Sequence, residues 1–254
     1  MAVDGRTVTY QRVGGLATSE RPSAPRLCLL GRFTLDYGTA AVDVGVAAQR
    51  LLAYLGLRRH GTRTVVAGTL WPDATEERAH GSLRTALWRL HRGREPLVRS
   101  DGDMLSLAET VSVDVRALTD SALHVVDARS ADPGLARHLL FAGDLLPGWD
   151  DDWVLFERER LRQLRLHALD ALAHQYLAEA RPGLALEAAL ESVRTEPLRE
   201  SAHRAVVAVH LAEHNVLEAV RHYRVFRSLL EQELGLAPSA GFTAMLPACA
   251  WVDD

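Results

Sequence analysis

The sequence predicts a mainly α-helical protein in two parts: a small N-terminal part that contains β-hairpins, followed by an all-α repeat part. Short strand-like runs with turn residues between them lie within the first 112 residues. Behind them, apolar residues recur at helical spacing, and short motifs return after 34 residues. The charge divides at the same place. Residues 1–112 hold 15 Arg against 11 Asp and Glu, a net charge of +4, and residues 113–254 hold 14 against 22, a net charge of −8.

The first part begins with a predicted hairpin. Residues 1–25 lack a periodic pattern, and we expect a flexible tail there. Residues 26–35, RLCLLGRFTL, are typical of one strand, the turn residues 36–39 follow, and residues 40–44 are the expected partner strand. Residues 26–112 are therefore predicted to form the first domain.

Three helices are predicted next. The first covers residues 46–60, where apolar residues fall at i, i+3, i+4 and i+7. Thr64 is the expected N-cap of a short second helix, Val65–Trp71. Thr75 is the expected cap of the third helix, Glu76–Arg94. A second hairpin follows this helix, because two short apolar runs flank a Ser-Asp-Gly-Asp turn.

The third predicted helix has two contrasting faces. Its apolar residues lie at spacings of four, four and three, at Ala79, Leu83, Leu87 and Leu90. The opposite face carries four arginines, Arg78, Arg84, Arg89 and Arg92. A helix of this kind suits the DNA major groove. It is equally compatible with an ordinary amphipathic helix whose basic face is solvated, because arginine favours helices as well as DNA. All 29 basic residues of the chain are arginine, so their number is weak evidence for nucleic acid.

The order of strands, helix, short helix, basic helix and hairpin is that of a winged helix-turn-helix, whose third helix enters the major groove and whose hairpin is the wing. The segments LLGRFTLDYG, QRLLAYLGL, LWPDA, SLRTALWRLHR and MLSL resemble the DNA-binding domain of the SARP family, the antibiotic regulatory proteins of actinobacteria. That domain is of the OmpR type, the output domain of many two-component regulators.

The start of the second part carries the same resemblance. The string FAGDLLPGWDDDWVLFERERL, residues 141–161, resembles the bacterial transcriptional activation domain that follows the SARP DNA-binding domain. We expect the carboxylates of residues 150–152 to cap the helix that follows. Trp149 and Trp153 are expected to pack into a core.

The second domain, residues 113–254, is predicted to be a tetratricopeptide-like helical repeat. The Leu-Ala-Glu string of residues 177–179 returns at residues 211–213, and the spacing of 34 residues is the tetratricopeptide period. The turns between the paired helices differ in sequence. Residues 113–140 are expected to form a third, degenerate pair that packs on the repeats.

Together these resemblances imply a sequence-specific transcriptional activator of antibiotic biosynthesis. The family binds double-stranded DNA as homodimers on promoter direct repeats, and recruitment of RNA polymerase would follow. A phosphate-binding GxxxxGK[ST] loop and a receiver domain are both absent, so the chain resembles the small family members.

A few side chains of the third helix are expected to contact DNA bases, while others hold phosphate. Arg84 or Arg89 is expected at guanine, and Thr85 at a thymine methyl group. Arg99, on the wing, is an expected phosphate ligand. Trp71 matches a tryptophan that reaches phosphate in OmpR-type domains, although a core position is an equal interpretation. The remaining candidates on the helix are Arg78, Ser82, Trp88 and Arg92.

Other function classes find less support. No GxSxG or HExxH motif occurs, no metal or cofactor site is expected, and we predict a protein that is not an enzyme. The alternative is a tetratricopeptide-type interaction adaptor whose winged helix does not bind DNA. No apolar run is long enough to cross a membrane and no signal pattern opens the chain, so a cytoplasmic, nucleoid-associated protein is expected.

Overall fold

The computed structural model describes residues 24–91, 96–127, 136 and 139–247. The predicted tail therefore lies largely outside the described residues. Its last residue, Pro25, does not belong to a tail, because it begins strand β1, Pro25–Cys28, and pairs with Tyr37. The predicted fold class is confirmed, with short strands and three helices first and helical repeats behind them.

The first sheet corrects the single strand predicted for residues 26–35. Two antiparallel strands occupy this stretch, β1 and β2, Thr34–Tyr37, and the chain turns between them at Gly31, whose φ is +80°. The predicted hairpin partner is present as β3, Ala40–Ala41. A parallel strand near residue 112 completes the sheet on the other side of β1.

Three helices follow in the predicted order: α1, Val46–Arg58, α2, Arg63–Leu70, and α3, Glu76–His91. Thr62, and not Thr64, caps α2, because its Oγ1 atom accepts from the Val65 N–H at 3.4 Å. Pairing of strand β4, His60–Thr62, with the wing ends α1 early and sets this start. Thr75 caps α3 as predicted, since its Oγ1 atom accepts from the Arg78 N–H at 3.5 Å. Residues 92–94 of the predicted helix lie outside the described residues.

The wing is a three-stranded antiparallel sheet. Strands β5, Val98–Asp101, and β6, Met104–Leu107, form the predicted hairpin around Gly102. Strand β4 pairs with the free edge of β6, so the order is β4-β6-β5. The wing is thereby attached to the start of α2. Strand β7, Ser112–Val113, then returns to the first sheet.

Helices α4 to α9 make up the second part. Their bounds are Asp114–Asp127, Asp152–Ala178, Pro182–Thr195, Glu200–Ala212, Val216–Leu234 and Ala240–Thr243. The repeat of 34 residues is visible in these bounds, because α5 and α7 end, and α6 and α8 begin, 34 residues apart. Of the pair expected in residues 113–140, α4 packs against α5 as predicted, and Leu118, Ala122 and Val125 are buried with the repeat helices, whereas residues 128–135, 137 and 138 lie outside the described residues. No helix in the described part of the chain is long and apolar enough to cross a membrane.

The two parts share one hydrophobic core. Leucines of β1, α1 and α3 are buried together with residues of the loop before α5 and of its first turns, namely Leu145, Leu146, Trp153, Val154 and Leu161. Trp149 and Trp153 pack into a core as predicted, with Trp149 stacked on Phe33 at 6.2 Å and Trp153 edge-on to Tyr54 at 5.6 Å between ring centroids. The predicted boundary near residue 112 is therefore crossed by continuous packing.

Polar contacts reinforce this junction. The carboxylate of Asp114 accepts from the backbone N–H groups of Leu29 and Leu30 at 2.9 to 3.0 Å. The Arg116 guanidinium donates to the carbonyl oxygens of Leu55 and Gly56, at the last turn of α1. These contacts fix the first sheet and α1 to α4.

Of the carboxylates predicted to cap α5, Asp152 lies in the first turn, where it favours the helix dipole, but Asp151 does not cap the helix as predicted. Asp151 is the N-cap residue of α5, but its side chain makes no capping hydrogen bond. Instead it forms an ion pair with Arg50 of α1, and two turns along Arg58 pairs with the buried Glu157 at 3.2 Å. The Asp151 side chain therefore binds a residue of the first part of the molecule and does not accept from the amide groups at the start of α5.

Candidate DNA-binding interface

Helix α3 lies with one face in the core of the first part. Its buried residues are Ala79, Leu83, Ala86, Leu87 and Leu90. All four apolar positions predicted from the sequence are among them, and Ala86 widens the apolar stripe. Thr75 at the N-terminus and Glu76 and Glu77 in the first turn favour the start of the helix. The opposite face is consequently held out toward solvent.

The predicted DNA-contacting side chains of α3 lie on this outer face. Arg78, Arg84, Thr85, Trp88 and Arg89 are exposed, and Ser82 is half-buried. Trp88 has 55% of its surface exposed, a large fraction for a tryptophan. Arg92 lies outside the described residues. Five of the predicted DNA-contacting side chains are therefore exposed in the part of α3 that is described.

Individual groups on the face differ in what they offer. The Thr85 hydroxyl donates to the carbonyl oxygen of Gly81 at 3.0 Å, so its hydrogen is engaged within the helix. The Arg84 guanidinium extends back beside Gly81, at the centre of the outer face. The Arg89 guanidinium lies instead beside Gly45, in the loop that precedes α1. The two guanidinium groups therefore lie at different places, that of Arg84 on the outer face of α3 and that of Arg89 beside the loop that precedes α1.

Gly81 has open space where a side chain would project. Only the Arg84 Nη2 atom, at 3.8 Å, would approach a Cβ atom there. Packing inside the protein therefore does not require a glycine. Gly81 stands between Glu77 and Trp88 on the outer face, where it contributes no side chain of its own and the Arg84 guanidinium lies beside it.

Trp71 and Arg99 lie in different surroundings. Trp71 follows α2, is half-buried, and packs against the core of the first part. This placement favours the core interpretation while leaving part of the indole accessible. Arg99, on β5, is exposed and forms an ion pair with Glu109 at 2.8 Å. An exposed pair of this kind contributes little stability, so a phosphate can replace Glu109.

Arg63 was missed from the sequence. It is the first residue of α2, its backbone N–H donates to the carbonyl oxygen of Asp103 at 2.9 Å, and its guanidinium donates to the Ser100 Oγ atom at 3.2 Å. Arg63 therefore holds both the turn and one strand of the wing. The signal available in the sequence was an arginine next to a turn, which is too common to single out.

Histidines and acidic residues do not form a metal site among the residues that the structure describes. Two histidines meet between α7 and α8, where the His203 Nδ1 and His222 Nε2 atoms are 3.0 Å apart. The other ring nitrogen of His203 donates to the Pro197 carbonyl oxygen at 2.9 Å, so a neutral His203 must accept from His222. Burial lowers the pKa of His203 and lowers the pKa of His222 to about 4.

Comparison with known proteins adds to this geometry. The profile of the bacterial transcriptional activator domain family matches residues 103–247, more than half of the chain. The chain belongs to this family. The matched region of this activator-domain protein begins within the wing and includes all of the helical repeats.

Two relatives are similar to this activator-domain protein over most of its length. It is 29% identical over 251 residues to the regulatory protein AfsR of Streptomyces coelicolor, covering 93% of the chain and 25% of that protein. It is 27% identical over 228 residues to AfsR of Streptomyces griseus, covering 85% of the chain and 23% of that protein. The chain thus spans about a quarter of the length of these relatives.

A solved structure shares the fold. The structure of Mycobacterium tuberculosis EmbR in complex with a low affinity phosphopeptide matches with a TM-score of 0.70 at 18% identity. The match covers 89% of this chain and 67% of the EmbR chain. The winged helix and the helical repeats therefore occur together in that protein in a similar arrangement.

Proposed function

We propose that this protein is a sequence-specific DNA-binding transcriptional activator, situated in the cytoplasm at the nucleoid. Helix α3 reads base edges in the major groove, and the wing contacts the adjacent backbone. The observation that carries the proposal is the exposed basic face of α3, which is held rigidly by its buried leucines. Membership of an activator-domain family and the AfsR relatives support it.

The outer face suggests a division of roles. Arg84, at the centre of α3, binds guanine O6 and N7, and the Thr85 methyl group and the Trp88 indole contact neighbouring bases or sugars. Arg78, Arg89 and Ser82 hold phosphates on either side, with Arg92 after them. Arg99 exchanges Glu109 for a phosphate at the wing, and Arg63 and Trp71 support the backbone contacts from the side of α2.

The second part acts on transcription. Two copies bind direct repeats at a promoter, about one helical turn apart, so that both lie on one face of the duplex. The helical repeats then contact RNA polymerase holoenzyme. Control of an antibiotic biosynthesis cluster is the role that the resemblance to the SARP family implies, and it forms part of this proposal.

Three arginine variants test the proposal against promoter DNA upstream of adjacent genes, by footprinting and fluorescence anisotropy at two salt concentrations. Arg84→Ala is expected to cost about 1–3 kcal/mol of binding free energy and to relax sequence preference. Arg89→Ala is expected to weaken binding to all sequences and to lower the salt slope by about 1. Arg204→Ala removes the same charge from the exposed side of α7 and should leave binding unchanged.

The outcomes separate the activator from the adaptor. A protected pair of direct repeats that Arg84→Ala abolishes supports a sequence-specific regulator. Binding could instead be sensitive to salt, give no footprint and be weakened equally by Arg204→Ala. In that case α3 would bind DNA only as a nonspecific basic patch. Absence of any DNA binding by the wild type would contradict the proposal and favour a protein-interaction adaptor built on the helical repeats.

A further inference from the structure

An acidic ridge lies on the first two turns of α5. Its members are at i, i+3, i+4 and i+7, which places them on one side of the helix: Asp152, Leu155, Phe156 and Glu159. All four are exposed, and Phe156 has 73% of its surface open to solvent. Two carboxylates therefore flank two exposed apolar side chains, and the Glu159 carboxylate also accepts hydrogen bonds from Arg162 and Gln163.

A basic ridge lies on α8. Its members are at i, i+4, i+7 and i+8: Leu217, Arg221, Arg224 and Val225. Leu217 is 78% exposed and Val225 is 61% exposed. Arg221 forms a long, exposed ion pair of 3.9 Å with Glu218. This positive surface stands in a half of the chain whose net charge is negative.

The two ridges match in composition and differ in sign. Each presents two apolar and two charged side chains along about two turns of helix. The two ridges lie on helices with different neighbours: α5 packs on α4 and α6, whereas α8 packs on α7. A single copy therefore carries two different surfaces that suit each other, and neither ridge suits itself.

We propose that the acidic ridge of one copy docks on the basic ridge of a second copy, head to tail. The inference rests on the proposed function, in which two copies bind direct repeats. Copies on direct repeats are related by translation along the duplex, so their contact joins two different surfaces. A two-fold interface, which joins the same surface twice, would not suit that arrangement.

A small interface is sufficient for this purpose. Stable protein pairs bury about 800 Å² on each partner, which two helical ridges do not reach. Copies bound to adjacent repeats, however, face each other at an effective concentration of about millimolar. Burial of Phe156 and Leu217 then contributes affinity, and the charges select the partner and its orientation.

Charge reversal tests the docking. The variants are R221E/R224E, which reverses the basic ridge, and D152R/E159R, which reverses the acidic one. Each is expected to bind a single half-site like the wild type and to lose cooperative binding to two half-sites, a loss of roughly 5–150-fold. A chain carrying all four changes should recover cooperativity, because every contact then joins reversed charges again.

A control variant and two further measurements accompany the charge reversals. D152R alone leaves the hydrogen bonds between Arg162 and Glu159 in place, so it controls for loss of that pair. Sedimentation equilibrium without DNA, at high protein concentration, measures self-association directly, and thermal unfolding checks each fold. If the wild type does not bind a half-site, the proposed function fails, and sedimentation still decides the docking. Cooperativity or self-association that survives R221E/R224E, or that the combined chain does not recover, overturns the docking.

Discussion

The arginines of this protein lie in two kinds of surroundings, exposed to solvent or hydrogen-bonded to backbone carbonyl oxygens. Arg84 points to solvent from α3, where nucleic acid can approach. Arg116, Arg158 and Arg165 instead donate to backbone carbonyl oxygens within the second part or across the junction. Burial lowers the pKa of Arg165, which nevertheless stays protonated beside Glu191. The net charge of each half therefore reflects internal structure as much as the choice of partner.

Replacement of Gly81 by alanine should change stability and DNA affinity in opposite directions. Gly81→Ala should stabilise the protein by about 1 kcal/mol, because alanine is the better helix former and the added methyl group meets open space. The same methyl group stands at the centre of the outer face of α3, so DNA affinity should fall. Urea unfolding measures the first effect and anisotropy with promoter DNA the second.

Gly68→Ala is the matched control for this experiment. Gly68 lies on the exposed side of α2, again with open space around its missing side chain. It should show a similar gain in stability with unchanged DNA affinity. Unchanged DNA affinity for Gly81→Ala as well would mean that α3 does not approach DNA at this turn.

Among the elements, periodicity predicted helices well and turns less well. The apolar spacing of α3 and the 34-residue repeat could be read directly, because both depend on local order. The break between β1 and β2 could not, since its cause is nonlocal: Gly31 turns there and donates to the Asp144 carbonyl oxygen at 2.8 Å. Ala180 and His214 likewise adopt the same left-handed turn, with φ of 56° and 61°, in loops of different sequence.

The α7–α8 helix pair makes stability dependent on pH. His203 stacks on Phe226 at 4.1 Å and is hydrogen-bonded to His222 in its neutral form. Burial, with smaller contributions from His203 and His210, lowers the pKa of His222 from its ordinary value of 6.5 to about 4. The unfolded chain therefore binds more protons than the folded chain between these values, and acid favours unfolding.

We expect the melting temperature to be insensitive to this pair above about pH 6.5 and to fall as the pH drops from about 6.5 toward 4. His222→Gln keeps a donor for His203 and removes the titration, so its melting temperature should fall less over the same range. His174→Gln, at an exposed position of α5, should follow the wild type. Parallel curves for wild type and His222→Gln would contradict the prediction.

At the scale of the whole molecule, the division into two domains is less sharp than the charge suggests. Composition changes near residue 112, yet Asp114 binds the backbone of β1 and Trp153 packs on Tyr54 of α1. These partners are 85 and 99 residues apart along the chain. Local patterns do not reveal contacts of such separation, which is why the junction was not predicted although its two tryptophans were expected to be buried.

Trp153 of α5 should contribute to the stability of α1 across the junction. Trp153 is 6% exposed and lies in the core of the first part, although it belongs to α5. Trp153→Ala should therefore lower the free energy of unfolding by about 3–5 kcal/mol. Hydrogen exchange should show lost protection at the amides of Leu51–Leu55 in α1 as well as in α5, because both helices pack against the Trp153 side chain.

Phe156→Ala is the control for this substitution. It removes an aromatic ring three residues further along α5, but from a side chain that is exposed, so the free energy of unfolding should change by less than about 0.5 kcal/mol. If Trp153→Ala loosened α5 and left the protection of α1 unchanged, the two parts would be independent domains. Coupled loss in both helices would mean that the activator domain contributes directly to the rigidity of the first part, because α1 packs on α3.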